Sequence, residues 1–137
     1  MEKIAHSPGT RKRSIARATI KEGSGDIRVN SLPIDCVQPE MAREKIRVPL
    51  RLAQDYVDLK KINVDANVRG GGVMGRADAV AVAIARALVE FTNSDELLAA
   101  YHHYDRTLIA GDHRLTEPHK PSQSSKGPRH RRQKSYR

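Results

Sequence analysis

Only one cysteine, Cys36, occurs in 137 residues, so no internal disulfide can form, and a thiol-rich structural zinc site is excluded. Tryptophan is absent, phenylalanine occurs once, and aromatics make up 4 % of the chain. Stacking on single-stranded bases therefore has few platforms, and phosphate contact is expected to dominate any nucleic-acid binding. No apolar run approaches the roughly 20 residues that a membrane-spanning helix needs, and the opening MEKIAHSPGTRKR lacks the apolar middle of a secretion signal. The expectation is a soluble, cytoplasmic chain with no membrane partner.

Positive charge, by contrast, is abundant. Lysine and arginine total 25 against 16 acids, a formal charge of +9. Residues 1–21 carry six cations and one acid, residues 22–104 ten and twelve, and residues 105–137 nine and three, for net charges of +5, −2 and +6. A surface charged only for solubility mixes both signs throughout; here the excess sits at the two ends, which points to a polyanionic partner. From Lys126 onward, KGPRHRRQKSYR holds six cations and no acid, with Tyr136 its one apolar side chain, and so has nothing with which to form a core. The division expected is an α/β body over residues 1–104, opening with a basic segment at 1–13, and an extended basic tail over 105–137.

Within the body, Ala16, Ala18 and Ile20 alternate with Arg17, Thr19 and Lys21, the pattern of a half-buried strand that turns Arg17 and Lys21 outward together. The turn cluster at Glu22–Asp26, followed by Ile27 and Val29, predicts a β-hairpin. Leu32 and Ile34 suggest a short third strand. Pro39 is placed to open a helix through about Val48, Pro49 to break it, and Leu50–Tyr56 to form a second helical piece. Ile62, Val64, Ala66 and Val68 alternate with polar residues as a clear strand. Ala77, Val80, Ala81, Ile84, Leu88 and Phe91 then recur at helical spacing, and Ser94 followed by Asp95 and Glu96 caps a last helix through about His103. The order β-β-β-α-β-α predicts an α+β fold, a two-layer α/β sandwich carrying a long basic C-terminal tail.

Between the clear strand and the long helix, Gly70-Gly71-Gly72-Val73-Met74-Gly75 matches G-x-G-x-x-G. A dinucleotide fold would need a parallel strand after the helix, but Phe91 leads into a polar cap and another helix. A phosphate-binding NTPase loop would need lysine and a hydroxyl where Arg76 and Ala77 stand, and the GXXG loop of KH domains joins two helices. What remains is a glycine backbone open to phosphate, with a helix N-terminus behind it. Arg76, a cation in the first turn, opposes the helix dipole unless an anion offsets it. The plain alternative is a flexible loop with a solvated arginine. No catalytic residue emerges. The carboxylate pairs Asp55 with Asp58 and Asp95 with Glu96 lack a nucleophile, and His102, His103, His113, His119 and His130 fit no zinc spacing, so neither metal nor cofactor is expected.

With these residues assembled, the chain resembles the universal small-subunit ribosomal protein nine family in its archaeal and eukaryotic style. GTRKRSIARATIKEGSGDIRVN at Gly9–Asn30, GGGVMGRADAVAVAIARAL at Gly70–Leu88 and RRQKSYR at Arg131–Arg137 carry the likeness. The tail departs from it at Pro121-Ser122-Gln123-Ser124-Ser125, where such members usually have a glycine pair, and at Pro128, which replaces a usual alanine. The resemblance implies a two-layer fold related to the second domain of ribosomal protein five, placed in the head of the small subunit beside neighbouring head proteins. It implies ribosomal RNA contact by Arg11, Lys12, Arg13 and Arg17 and by the Gly70–Arg76 loop. Joined to the charge map, the expected RNA set is Arg11, Lys12, Arg13, Arg17, Lys21, Arg69, Gly70, Gly71, Gly72, Gly75, Arg76, Lys120, Lys126, Arg129, Arg131 and Arg132. The last residues, Lys134, Ser135, Tyr136 and Arg137, are implied to approach peptidyl-site tRNA. A ribosome-bound structural protein, acting on no small-molecule substrate, is the leading reading. A free-standing basic nucleic-acid-binding module and a nucleotide-dependent enzyme are the alternatives.

Overall fold

The computed structural model describes residues 3–119 and 127–129. Five strands, β1 (Ile4–Arg11), β2 (Ser14–Glu22), β3 (Ile27–Val29), β4 (Leu32–Pro33) and β5 (Ile62–Arg69), form one sheet in the order β1-β2-β5-β3-β4. Four helices accompany it: α1 (Glu40–Ala53), α2 (Val73–Thr92), α3 (Asp95–Tyr104) and α4 (Thr107–Ala110). The fold is therefore mixed α+β. Among the described residues no helix is long and apolar enough to cross a membrane.

The alternation read for β2 and β5 sets the inner face, where Ala16, Ala18, Ile20, Ile62, Val64 and Ala66 are buried. Helix α2 lies across this face and contacts β1, β2 and β5, while α1 and α3 pack against α2. Small residues meet at the contact: an added Cβ on Gly9 of β1 would lie 2.2 Å from the Ala79 carbonyl oxygen of α2. The other face, carrying His6, Pro8, Thr10, Ile15, Arg17, Lys21, Asp65, Asn67 and Arg69, stays exposed among the described residues.

Three local expectations are corrected, and one strand is added. The basic segment 1–13 contains β1, paired antiparallel with β2 around the turn at Lys12 and Arg13. Residues Ile27–Val29 do not return along β2 as a hairpin, because β5 is inserted between them, antiparallel to β2 and parallel to β3. Asn63 of β5 holds the intervening turn, its Oδ1 accepting from the amides of Ser24, Gly25 and Asp26 at 2.8, 3.1 and 3.1 Å. The third strand is only Leu32–Pro33, and Ile34 begins a 3₁₀ turn. The true hairpin partner of β4 is β3, joined through Asn30 and Ser31, both at positive φ as a type I′ turn requires.

Proline 49 does not break its helix: α1 runs from Glu40 through Ala53, so the predicted second piece at Leu50–Tyr56 is the end of the same helix and stops three residues earlier. Ala42, Ile46, Pro49, Leu50 and Ala53 fall on one buried stripe at helical spacing, and burial of that stripe outweighs the one backbone hydrogen bond that proline removes. Ser94 caps α3 as expected, its Oγ accepting from the Leu97 amide at 3.3 Å. After α2 no strand follows among the described residues, so the return that a dinucleotide fold needs is absent there.

Candidate nucleic-acid interface

Two sequence-distant motifs meet at one end of the sheet. The Ser14 side chain, fully buried where β2 begins, donates to the Gly70 carbonyl at 3.0 Å and so ties the Lys12–Arg13 turn to the glycine loop. Gly70 and Gly71 have φ of +80° and +66°, and a Cβ on them would lie 2.6 Å from the Arg13 carbonyl oxygen and 2.2 Å from Ser14 Oγ. These two glycines are required by the fold itself. Gly75 is crowded by Ser14 Oγ at 3.2 Å, whereas a Cβ on Gly72 would meet nothing within 4 Å. Gly72 is thus the place where the backbone is open to an incoming group.

Helix α2 starts earlier than the glycine letters suggest, with Val73, Met74 and Gly75 already in its first turn. Its N-cap Gly72 supplies no side-chain cap and no acid lies in the first turn, so the opening amides carry an uncompensated positive end. Arg76 is offset locally: its Nε donates to the Gly70 carbonyl at 3.0 Å. Arg11–Ser14, Gly71–Gly75 and Asp78, together with Leu115–His119, line an open cleft of about 1220 Å³.

The cations divide by face. Arg17, Lys21 and Arg69 on the exposed sheet face, like Lys12 and Arg13 in the turn, have side chains with no hydrogen bond or ion pair among the described residues. The register sets Arg17 opposite Asn67, Lys21 opposite Asn63 and Arg69 opposite Ile15, so no acid stands directly across from these charges between β2 and β5. Asp65 is the acid on this face of β5, and His6 Nδ1 shares a 2.8 Å hydrogen bond with Thr19 Oγ1. On α1 the cations are paired, Lys45 with Asp78 at 2.7 Å, Arg51 with Glu44 at 2.6 Å, and Arg47 with Glu44 at 2.8 Å and with Asp35. Arg47 and, beside it, Arg51 hold the Glu44 carboxyl below its ordinary range.

The sequence profile described as Ribosomal protein S9/S16 matches residues 9–137. The chain belongs to this family. A small ribosomal subunit protein uS9 of Methanococcus maripaludis strain C7 is 50 % identical over 135 residues, covering 98 % of this chain and 99 % of that protein. The protein of the same name from Methanococcus vannielii is 49 % identical over the same span. The S9/S16 family is one of ribosomal structural proteins, not enzymes.

Among the expected RNA residues of this S9/S16 chain, the fold brings Lys12, Arg13, Gly70, Gly71, Gly72, Gly75 and Arg76 together and spreads Arg17, Lys21 and Arg69 over the adjoining sheet face. Arg11 lines the same cleft, but its charge is engaged by acids. Its side chain is 17 % exposed and lies 3.3 Å from Asp112 and 3.9 Å from Asp78. Arg129 ion-pairs with Glu117 at 2.5 Å. Lys120, Lys126, Arg131, Arg132, Lys134, Ser135, Tyr136 and Arg137 lie outside the described residues. Sequence reasoning misses Ser14, Arg86 and Asp112. For Arg86 a signal exists, since it is the lone charge in the apolar stretch AVAVAIARALV. Among the described residues no group of three histidine, cysteine or acidic side chains is arranged to hold a metal.

Proposed function

We propose that this protein is a structural constituent of the small ribosomal subunit that grips ribosomal RNA through the Lys12–Arg13 turn, the glycine loop and the exposed sheet face. The observation that carries this reading is a difference in pairing: Lys12, Arg13, Arg17, Lys21 and Arg69 are unpaired among the described residues, while Lys45, Arg47 and Arg51 of α1 are paired with acids. Phosphate contacts position a protein on RNA and need free cations with room for a backbone beside them. Gly72, at the open N-terminus of α2, offers the closest backbone approach. Family membership supports the rest of the reading: a body over 1–104 with a fold related to the second domain of ribosomal protein five, contacts with neighbouring head proteins, and a tail over 105–137. In the tail, Lys120, Lys126, Arg129, Arg131 and Arg132 follow RNA, and Lys134, Ser135, Tyr136 and Arg137 reach peptidyl-site tRNA on cytoplasmic ribosomes.

Replacing Arg17, Lys21 and Arg69 together by alanine should flatten the log-affinity against log-salt slope on small-subunit RNA by about 2, taking ~0.7 for each phosphate no longer neutralised. An unchanged slope would remove the sheet face from the interface. Deleting residues 126–137 should speed tRNA release from the peptidyl site while leaving small-subunit assembly intact. A free-standing module, in contrast, would wash off small subunits in high salt.

A further inference from the structure

We propose that Arg11 and Arg86 are positioning residues that clamp the root of the tail to the body, and that Arg11 is not an RNA ligand. Arg86 projects from the middle of α2 and donates in two directions, through Nε to the Ile109 carbonyl at 2.7 Å and through Nη1 to the Pro8 carbonyl at 2.9 Å. One guanidinium thereby joins β1, α2 and α4. The next turn is shaped around it, since Gly111 has φ +80° and its added Cβ would lie 3.3 Å from Arg86 Nη2.

Arg11, at the end of β1, secures the following residues. Its Nη1 lies 3.3 Å from Asp112 Oδ2 and donates to the Arg114 carbonyl at 3.2 Å. Asp112 is itself closed off, 12 % exposed, and accepts from the Arg114 amide at 3.0 Å and from the Arg114 side chain at 2.6 Å. On its other side Arg11 Nε lies 3.9 Å from Asp78, which meets Lys45 at 2.7 Å. Opposite charges therefore alternate from α1 through α2 and β1 to the tail root. A cation so engaged would have to give up Asp112, Asp78 and the Arg114 carbonyl to turn to a phosphate.

The consequence is direction. Held at Ile109, Asp112 and Arg114, the chain continues through Leu115–His119 along the cleft that also holds Lys12, Arg13 and Gly72. The segment after the root thus runs beside the cationic Lys12–Arg13 turn, and fixing the root raises the local concentration of whatever lies beyond it. The inference rests on the proposed RNA reading for its purpose but not for its geometry.

The test uses the full chain with spin labels on Cys36, an exposed native thiol, and on Leu115→Cys, a position 73 % exposed. The unsubstituted pair should give one narrow distance distribution. Arg11→Met and Arg86→Met should broaden it, as should Asp112→Asn, which keeps the side-chain shape and covers the case in which an arginine variant fails to fold. Arg69→Met removes the same charge on the sheet face and should leave the distances narrow while flattening the salt slope on RNA by about 0.7. Arg11→Met should leave that slope unchanged. Narrow distances in both Arg11→Met and Asp112→Asn, or a slope that falls in Arg11→Met as in Arg69→Met, would overturn the clamp. If the unsubstituted chain binds no RNA, the proposed function fails, and the distances still decide the clamp.

Discussion

The Tyr101 hydroxyl of α3 donates a 2.8 Å hydrogen bond to the carbonyl oxygen of Pro49, inside α1. The phenol is fully buried, so its one donor is satisfied at the proline turn and α3 is docked onto α1 there. Tyr101→Phe keeps the ring and removes the bond. It should cost about 1 kcal/mol in urea unfolding and lower Tm by a few degrees. Burial also pushes the Tyr101 phenol above its ordinary value of 10.0. An unfolded phenol ionises near 10 while the folded one stays neutral, so this stabilisation is complete below pH 10 and is lost as pH rises beyond it. Unfolding at pH 8 and pH 11 should therefore separate the two proteins at the lower pH and bring them together at the higher. A constant gap would mean that the buried phenol contributes no linkage.

Two glycines should respond in opposite ways to alanine. At Gly9 the new methyl would sit 2.2 Å from the Ala79 carbonyl oxygen and 2.5 Å from the Ala83 amide, backbone atoms that move only if α2 lifts off β1. Gly9→Ala should cost about 3 kcal/mol or prevent folding. Gly72 has φ −86°, and a Cβ there would meet nothing within 4 Å, so Gly72→Ala should change stability by no more than about 0.5 kcal/mol. If the open backbone at Gly72 receives a phosphate, the same substitution should weaken RNA binding several-fold. Thermal melts and RNA titrations of the two variants give both answers.

The contrast between these glycines shows what a linear reading can and cannot see. β2, β5 and α2 are legible because their buried residues are large or apolar enough to mark a period of two or of 3.6. β1 is not, because its inward residues are Ala5, Ser7 and Gly9, kept small by the approach of α2 and indistinguishable in sequence from a loop. A β2–β3 hairpin follows from proximity along the chain, but the pairing depends on β5, more than thirty residues later. Pro49 reads as a break because a proline's local effect is certain and the worth of its buried stripe is not. In the site the letters GGGVMG are visible but the reason for two of the glycines is not, since it depends on Ser14, 56 residues earlier. The distinction between free and paired arginines needs the fold, as Arg11 and Arg13 are equivalent in sequence and opposite in environment.

Acid should open the tail root only at very low pH. Hydrogen bonds from the Arg114 side chain, and next from its backbone amide, hold the Asp112 carboxyl well below the ordinary carboxylate range, with the Arg11 charge adding to them. Desolvation pushes the other way and loses. An unfolded aspartate protonates near pH 3.8, so the stabilisation is present above that value and disappears only as pH falls through the lower folded one. Exchange of the Arg114 amide, corrected for intrinsic rates, should show the same protection at pH 7 and pH 5. Asp112→Asn should lose it at both. Protection that fades between pH 6 and pH 5 would assign the closure to another group.

A last test concerns the turn that carries the chain from β2 past β5. Asn63 Oδ1 accepts from three consecutive amides, Ser24, Gly25 and Asp26, and the close fit leaves Gly23 no room for a Cβ, which would lie 2.2 Å from Asn63 Cγ. Asn63→Ala orphans the three donors; water reaches this exposed turn, so the cost should be about 2 kcal/mol rather than three full hydrogen bonds. Asn63→Asp keeps the shape and supplies an acceptor with only lone pairs to offer. Three amide donors should lower the folded pKa of such a carboxyl. Asn63→Asp should accordingly match or exceed the parent above pH 5 and lose that advantage as pH falls below about 4, where the unfolded carboxyl also protonates. Urea unfolding of both variants at pH 7 and pH 3 decides the matter. If aspartate destabilises as much as alanine at pH 7, the amide cradle is not what holds β3 in register with β5.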